Sequence, residues 1–177
     1  APGENSSYHF TRMLHPLENI DSLEQLQLYP WPDFSNSQFD GLCDKVKAAH
    51  KRGLAVCAGT GLIWELAWGL RGMDKLMMDM CDDDPKAAWL LDKLTDDSCF
   101  AAAALANAGV DVIMCGDDVG TQRGLMMSEQ FYCAWLKPRL ARVIKTAKAI
   151  NPQVLINYHS DGNIMELIPH WIEVGVD

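Results

Sequence analysis

The stretch from Gln153 to Asn163 constrains this chain more than any other. Val154-Leu155-Ile156-Asn157-Tyr158 is an apolar, β-prone run of strand length, and it stops at His159-Ser160-Asp161-Gly162-Asn163. The residues that follow, Ile164-Met165-Glu166-Leu167-Ile168, read as helix. A strand that ends in an imidazole and a carboxylate before a helix is how α/β proteins place chemistry at the carboxyl ends of their strands. Alternation sends Leu155, Asn157 and His159 to one face and Val154, Ile156 and Tyr158 to the other. In a barrel the face with Asn157 and His159 is the interior, because an imidazole against a helix layer would lack a partner.

The same grammar recurs upstream. Leu54-Ala55-Val56-Cys57-Ala58 reads as a short buried strand, followed by Gly59-Thr60-Gly61 and helical runs over Leu62–Leu70 and Gly72–Met80. Asp84-Pro85 starts a helix with proline at the first position, where its missing N–H costs nothing, and Gly109 stops it after Asn107. Val110–Cys115 is the next strand, Gly116-Asp117-Asp118-Val119-Gly120 its loop, and Ser128 caps a long helix to Ile150, interrupted near Pro138. A last helix runs from about Asn163 to Val174. Residues 1–36 are irregular apart from a capping box at Ser22-Leu23-Glu24-Gln25 and an extended Tyr29-Pro30-Trp31-Pro32-Asp33. From Ser37 to Arg52, the residues Phe39, Leu42, Cys43, Val46 and Ala49 share one helical face, and Gly53 ends the run. Short apolar strands alternating with helices predict a parallel sheet with helices packed outside, and all the polar loops on one rim.

Composition narrows the partners. A formal charge of −9 argues against nucleic acid and anionic membranes, both of which want a basic face. No apolar run is long enough to span a membrane and no signal-peptide pattern opens the chain, so a cytoplasmic protein is expected. Six cysteines without a Cys-x-x-Cys pair read as small buried hydrophobes in a reducing compartment. The 177 residues suit one domain. The chain starts at Ala1 without methionine and stops at Gly175-Val176-Asp177, whose counterpart Gly109-Val110-Asp111 leads directly into a strand. Residues 1–177 are therefore expected to be a single, incomplete domain.

Ala58-Gly59-Thr60-Gly61, Asp84-Pro85, and the Gly-Val-Asp-led strand ending in Asp117-Asp118 resemble the uroporphyrinogen decarboxylase superfamily. Leu125-Met126-Met127-Ser128-Glu129-Gln130-Phe131, Lys137-Pro138-Arg139-Leu140 and His159-Ser160-Asp161-Gly162-Asn163 extend that resemblance in the right order over most of the chain. It implies a (β/α)8 TIM barrel, of which a central fragment of about three βα units is present. The superfamily includes the haem-pathway decarboxylase and corrinoid-dependent methyltransferases that use zinc. In the methyltransferases the corresponding strand ends in His-x-Cys; here His159 matches the histidine and Asp161 stands in the cysteine's place. In the decarboxylase the glycine loop continues into Pro-Trp-Thr and then a tyrosine, where this chain has Gly61-Leu62-Ile63 and Ala67-Trp68. The resemblance thus implies methyl transfer between a small substrate and a corrinoid, with zinc assistance and a corrinoid protein as partner. Decarboxylation of a tetrapyrrole without a cofactor, and a non-catalytic barrel that binds a corrinoid or small ligand, are the alternatives.

Each candidate residue has a sharp and a plain role. His159 and Asp161 either hold zinc, or Asp161 caps the next helix while His159 bonds a loop carbonyl. Asp117 and Asp118 repel one another, so one either works as an acid or base with a raised pKa, or both are solvated in a turn. With His159 they form the catalytic set. Gly59, Thr60, Trp64, Arg123, Asn157 and Asn163 are the expected substrate or cofactor contacts. Trp64, Trp68, Met73, Met77, Met78 and Met80 either line a flat cofactor pocket or pack the core. Arg71 and Arg123 either pair with substrate carboxylates or stay solvated.

Overall fold

Three parallel strands form one sheet in chain order, β1 (Cys57–Gly59), β2 (Val112–Gly116) and β3 (Leu155–His159). The register aligns Ala58 with Ile113 and Ile113 with Ile156. The computed structural model describes residues 13–33 and 39–177, so the expected helix start at Ser37 lies outside the described residues. Around the sheet run α1 (Leu23–Gln27), α2 (Leu42–Lys51), α3 (Trp64–Arg71), α4 (Met73–Cys81), α5 (Pro85–Ala108), α6 (Glu129–Trp135), α7 (Lys137–Ile150) and α8 (Ile168–Val174). A 3-10 turn at Met165–Leu167 precedes α8, where sequence alone suggested helix from Asn163. Among the described residues no helix is long and apolar enough to cross a membrane.

The helix boundaries follow local chemistry. Ser22 and Gln25 exchange side-chain and backbone bonds at the start of α1. Asp84 accepts from the Lys86 amide at 2.9 Å, Pro85 opens α5, and Gly109 closes it. Ser128 accepts from the Phe131 amide at 3.2 Å to start α6, and the chain re-nucleates at Leu136 just before Pro138. Leu140, Val143, Ile144 and Ala147 of α7 are buried where that helix packs along α5, each larger side chain contributing about 1.5–3 kcal/mol of burial.

Among the described residues, helices cover one face of the sheet. Ile113, Cys115 and Ile156 are buried beneath the helices. Met114 and Leu155 point to the opposite face and are 43% and 51% exposed, with Asn157 and His159 beside them. The alternation read from β3 is therefore the observed one. The expected buried strand over Leu54–Ala58 is corrected: the ladder begins at Cys57, and Leu54 is exposed. The Val56 amide is taken by the Asp111 side chain at 2.7 Å, which holds the strand's entry outside the ladder. The cysteines also differ from expectation. Cys43, Cys57 and Cys81 are exposed and only Cys115 is fully buried, because helix faces and the open face of β1 leave their sulfurs uncovered.

At the amino end of the sheet one fastening occurs twice. Asp111 accepts from the Val56 amide at 2.7 Å and lies 2.8 Å from His50 Nε2, while its own amide donates to Val56 O at 3.0 Å. Asp177 accepts from the Ile156 amide at 2.9 Å and from Lys148 Nζ at 2.8 Å, and its amide donates to Ile156 O at 3.0 Å. Both aspartates close a Gly-Val-Asp triplet.

Candidate metal centre

At the carboxyl end, β2 and β3 run into loops that are sewn together. A Cβ at Gly116 would stand 2.5 Å from His159 O, so only glycine allows this approach, and the Asp117 amide donates to the same oxygen at 3.2 Å. The Val119 amide donates to Ser160 Oγ at 3.1 Å, and the Asn163 amide to Thr121 O at 2.7 Å. Gly162 takes φ +88° and packs on the Gly120 backbone, with no room for a side chain.

This stitching gathers Asp118, His159 and Asp161. One ligand atom from each lies within 4.8 Å of the others. His159 Nε2 is 4.0 Å from Asp118 Oδ1 and 3.6 Å from Asp161 Oδ1. Ligands about 2.0–2.2 Å from a tetrahedral ion are separated by about 3.3–3.6 Å, so small side-chain movements bring the trio to bonding geometry. The Asp161 amide donates to Asp118 Oδ1 at 2.7 Å and fixes that carboxylate's direction. An imidazole with two carboxylates suits zinc and is harder than a thiolate set. The residues present fit a divalent cation. His159 opens on an apolar cleft of about 260 Å³ lined by Leu62, Met114 and Gly116, and Asp118 and Asp161 on a mixed polar and apolar one of about 360 Å³ lined by Glu65, Trp68 and Thr121.

Asp117 does not join the trio. It turns inward and is 8% exposed. Its carboxylate accepts from the Ile63 amide at 3.2 Å and the Glu65 amide at 2.9 Å, the first turn of α3. Burial pushes its pKa up to about 7, against the pull of those amide bonds. The raised value expected of the aspartate pair therefore comes chiefly from desolvation, with Glu65 among the nearby charges that add to it. Behind it, Trp171 Nε1 donates to the buried Tyr132 hydroxyl at 2.7 Å and stacks on Tyr158 at 4.3 Å.

The remaining candidates scatter. Gly59 and Thr60 leave β1 on the same rim, with the Thr60 amide donating to Met114 O at 3.1 Å. Trp64 is 0% exposed and packs in the core, so it offers no ring face to a flat ligand. Met80 is buried while Met78 is 64% exposed, so the α4 methionines line no common pocket. Arg71 is buried, with Nε 2.8 Å from Asp79 and Nη1 donating to the carbonyls of Leu17 and Ile20, which removes it as a substrate contact. Arg123 is exposed on the loop after β2. Asn157 stands on the open face of β3, and Asn163 Oδ1 accepts from the Met165 amide at 3.4 Å to start the 3-10 turn. The sequence reading grouped Asp118 with His159 as catalytic but missed it as a prospective metal ligand, and it missed Glu65, whose carboxylate accepts from the Asp118 amide at 3.1 Å. An acidic residue in the first turn of a helix leaving this rim was the available signal for Glu65.

A methyltransferase from Methanosarcina mazei superposes with a TM-score of 0.61 at 21% identity, over 76% of this chain. The match covers 39% of that protein's own chain, so this chain spans about two fifths of its length. The likeness establishes the fold, a run of β/α units from a (β/α)8 barrel. No curated protein matches the chain. Residues 11–177 match the family described as Uroporphyrinogen decarboxylase (URO-D), and the chain belongs to that family.

Proposed function

We propose that the rim is the zinc-binding part of a methyltransferase centre, moving a methyl group between a small substrate and a corrinoid. The convergence of Asp118, His159 and Asp161 on the exposed rim carries this reading. When bound there, zinc would acidify a thiol or polarise a methyl donor at neutral pH. His159 would present Nε2, the nitrogen that faces both carboxylates. Asp118 and Asp161 supply negative charge to offset the cation, and the exposure of the trio leaves a side open to substrate, as catalytic zinc sites require. Met114 and Leu62 give the methyl-bearing molecule an apolar surface next to His159. A corrinoid protein would approach the carboxyl-end rim, where His159 and Asp161 are exposed.

Decarboxylation of a tetrapyrrole is the other activity in this family, and it needs arginines to hold acetate arms. Arg71 is consumed internally, whereas Arg123 on the loop after β2 is exposed and could serve that role. Zinc analysis with and without His159→Ala separates the readings. Stoichiometric zinc that disappears in the variant supports methyl transfer. Absence of zinc with carbon dioxide released from uroporphyrinogen selects decarboxylation, and neither result selects a barrel that binds without turnover.

A further inference from the structure

The Ile63 N-cap of α3 makes no side-chain hydrogen bond of its own. Its cap comes from across the chain. Asp117 accepts from the Glu65 amide at 2.9 Å, and Glu65 Oε2 accepts in return from the Asp118 amide at 3.1 Å, residues separated by 52 and 53 positions. The exchange resembles the one Ser22 and Gln25 make locally at α1, but it joins two loops of the rim and the returned amide belongs to the residue after the cap. Its product is different, because Asp118 then points its carboxylate at His159 and Asp161.

We propose that Glu65 is the positioning residue of the metal centre: it holds the Asp118 backbone so that the carboxylate arrives already aimed. The inference rests on the reading of Asp118, His159 and Asp161 as metal ligands. Glu65 lines the cleft shared with Asp118 and Asp161, yet its carboxylate is engaged by an amide, so it shapes the site through Asp118. Bonds that orient ligands typically change metal affinity by about 10–100-fold when removed. Reach matters here more than charge. A glutamine keeps an oxygen that accepts from the Asp118 amide; an aspartate keeps the charge but falls short by one methylene.

Zinc titrations of the full chain against a competing chelator, paired with thermal melts, test this on Glu65→Gln, Glu65→Asp and Glu65→Ala. The expected order is wild-type affinity, within about threefold, for Glu65→Gln, and a loss of about tenfold or more for Glu65→Asp and Glu65→Ala. Asp84→Ala, which removes the cap of α5, serves as the control that lowers the melt while leaving zinc affinity unchanged. Glu65→Asp binding as tightly as wild type, or Glu65→Gln binding as weakly as Glu65→Ala, overturns the positioning role while leaving the metal reading intact. A wild-type chain that takes up no zinc overturns both.

Discussion

The two ends of the sheet spend their aspartates differently. At the amino end Asp111 and Asp177 each satisfy a backbone amide and a basic side chain, in the same arrangement. At the carboxyl end Asp118 and Asp161 converge on one shared imidazole at 4.0 and 3.6 Å, and Asp118 also takes the Asp161 amide. Repetition marks the end that holds units together, and irregularity marks the end where each loop does something of its own. This is the division between stability and chemistry expected of a β/α barrel.

Exchanging the effects of the two ends breaks the comparison. Asp118→Ala and Asp161→Ala should remove most zinc affinity while moving the melt little, because Asp161 is exposed and Asp118 partly so. Asp111→Ala and Asp177→Ala should lower the melting temperature and leave zinc uptake intact. Isothermal titration and scanning calorimetry on the same four proteins read both axes.

pH sharpens the contrast. The Val56 amide and His50 hold Asp111 below the usual carboxylate range, and Lys148 and the Ile156 amide do the same for Asp177. A depressed carboxyl stabilises the fold above its unfolded pKa, so this contribution is present above about pH 4 and is lost as acid passes through the lower folded values. Asp117 behaves oppositely. Its raised pKa of about 7 makes its contribution greatest below about pH 4 and declining as pH rises toward 7, with no further change beyond. Asp117→Asn should flatten melting temperature between about pH 4 and 7, and a slope retained by that variant contradicts the assignment. The smallest expected effect is Ser160→Ala, which strips the Val119 amide of its acceptor and costs about 1 kcal/mol in chemical denaturation.

Sequence carried much of this because its signals were local. The period of β3 placed Asn157 and His159 on the face away from the helices, and Pro85, Ser128 and Gly109 marked helix ends with chemistry confined to a few residues. What escaped depends on contacts between distant positions. The cap of α3 lies 52 residues from the amide it receives, and nothing near Ile63 announces it. Asp117 and Asp118 are neighbours in the chain yet occupy opposite environments, one buried and one at the rim, a split that adjacency conceals. Cysteine burial was misjudged because apolar neighbours in sequence do not fix where a side chain points: Cys43 and Cys81 lie on exposed helix positions, and Cys57 on the sheet face away from the described helices.

The Gly-Val-Asp clasp has a consequence for how neighbouring units join. Each clasp takes its carboxylate from one unit, and its amide and basic side chain from the unit before, so the joint is a short, repeated seam between consecutive units. Changes in the rim loops leave that seam alone, since the fastening lies at the far side of the sheet.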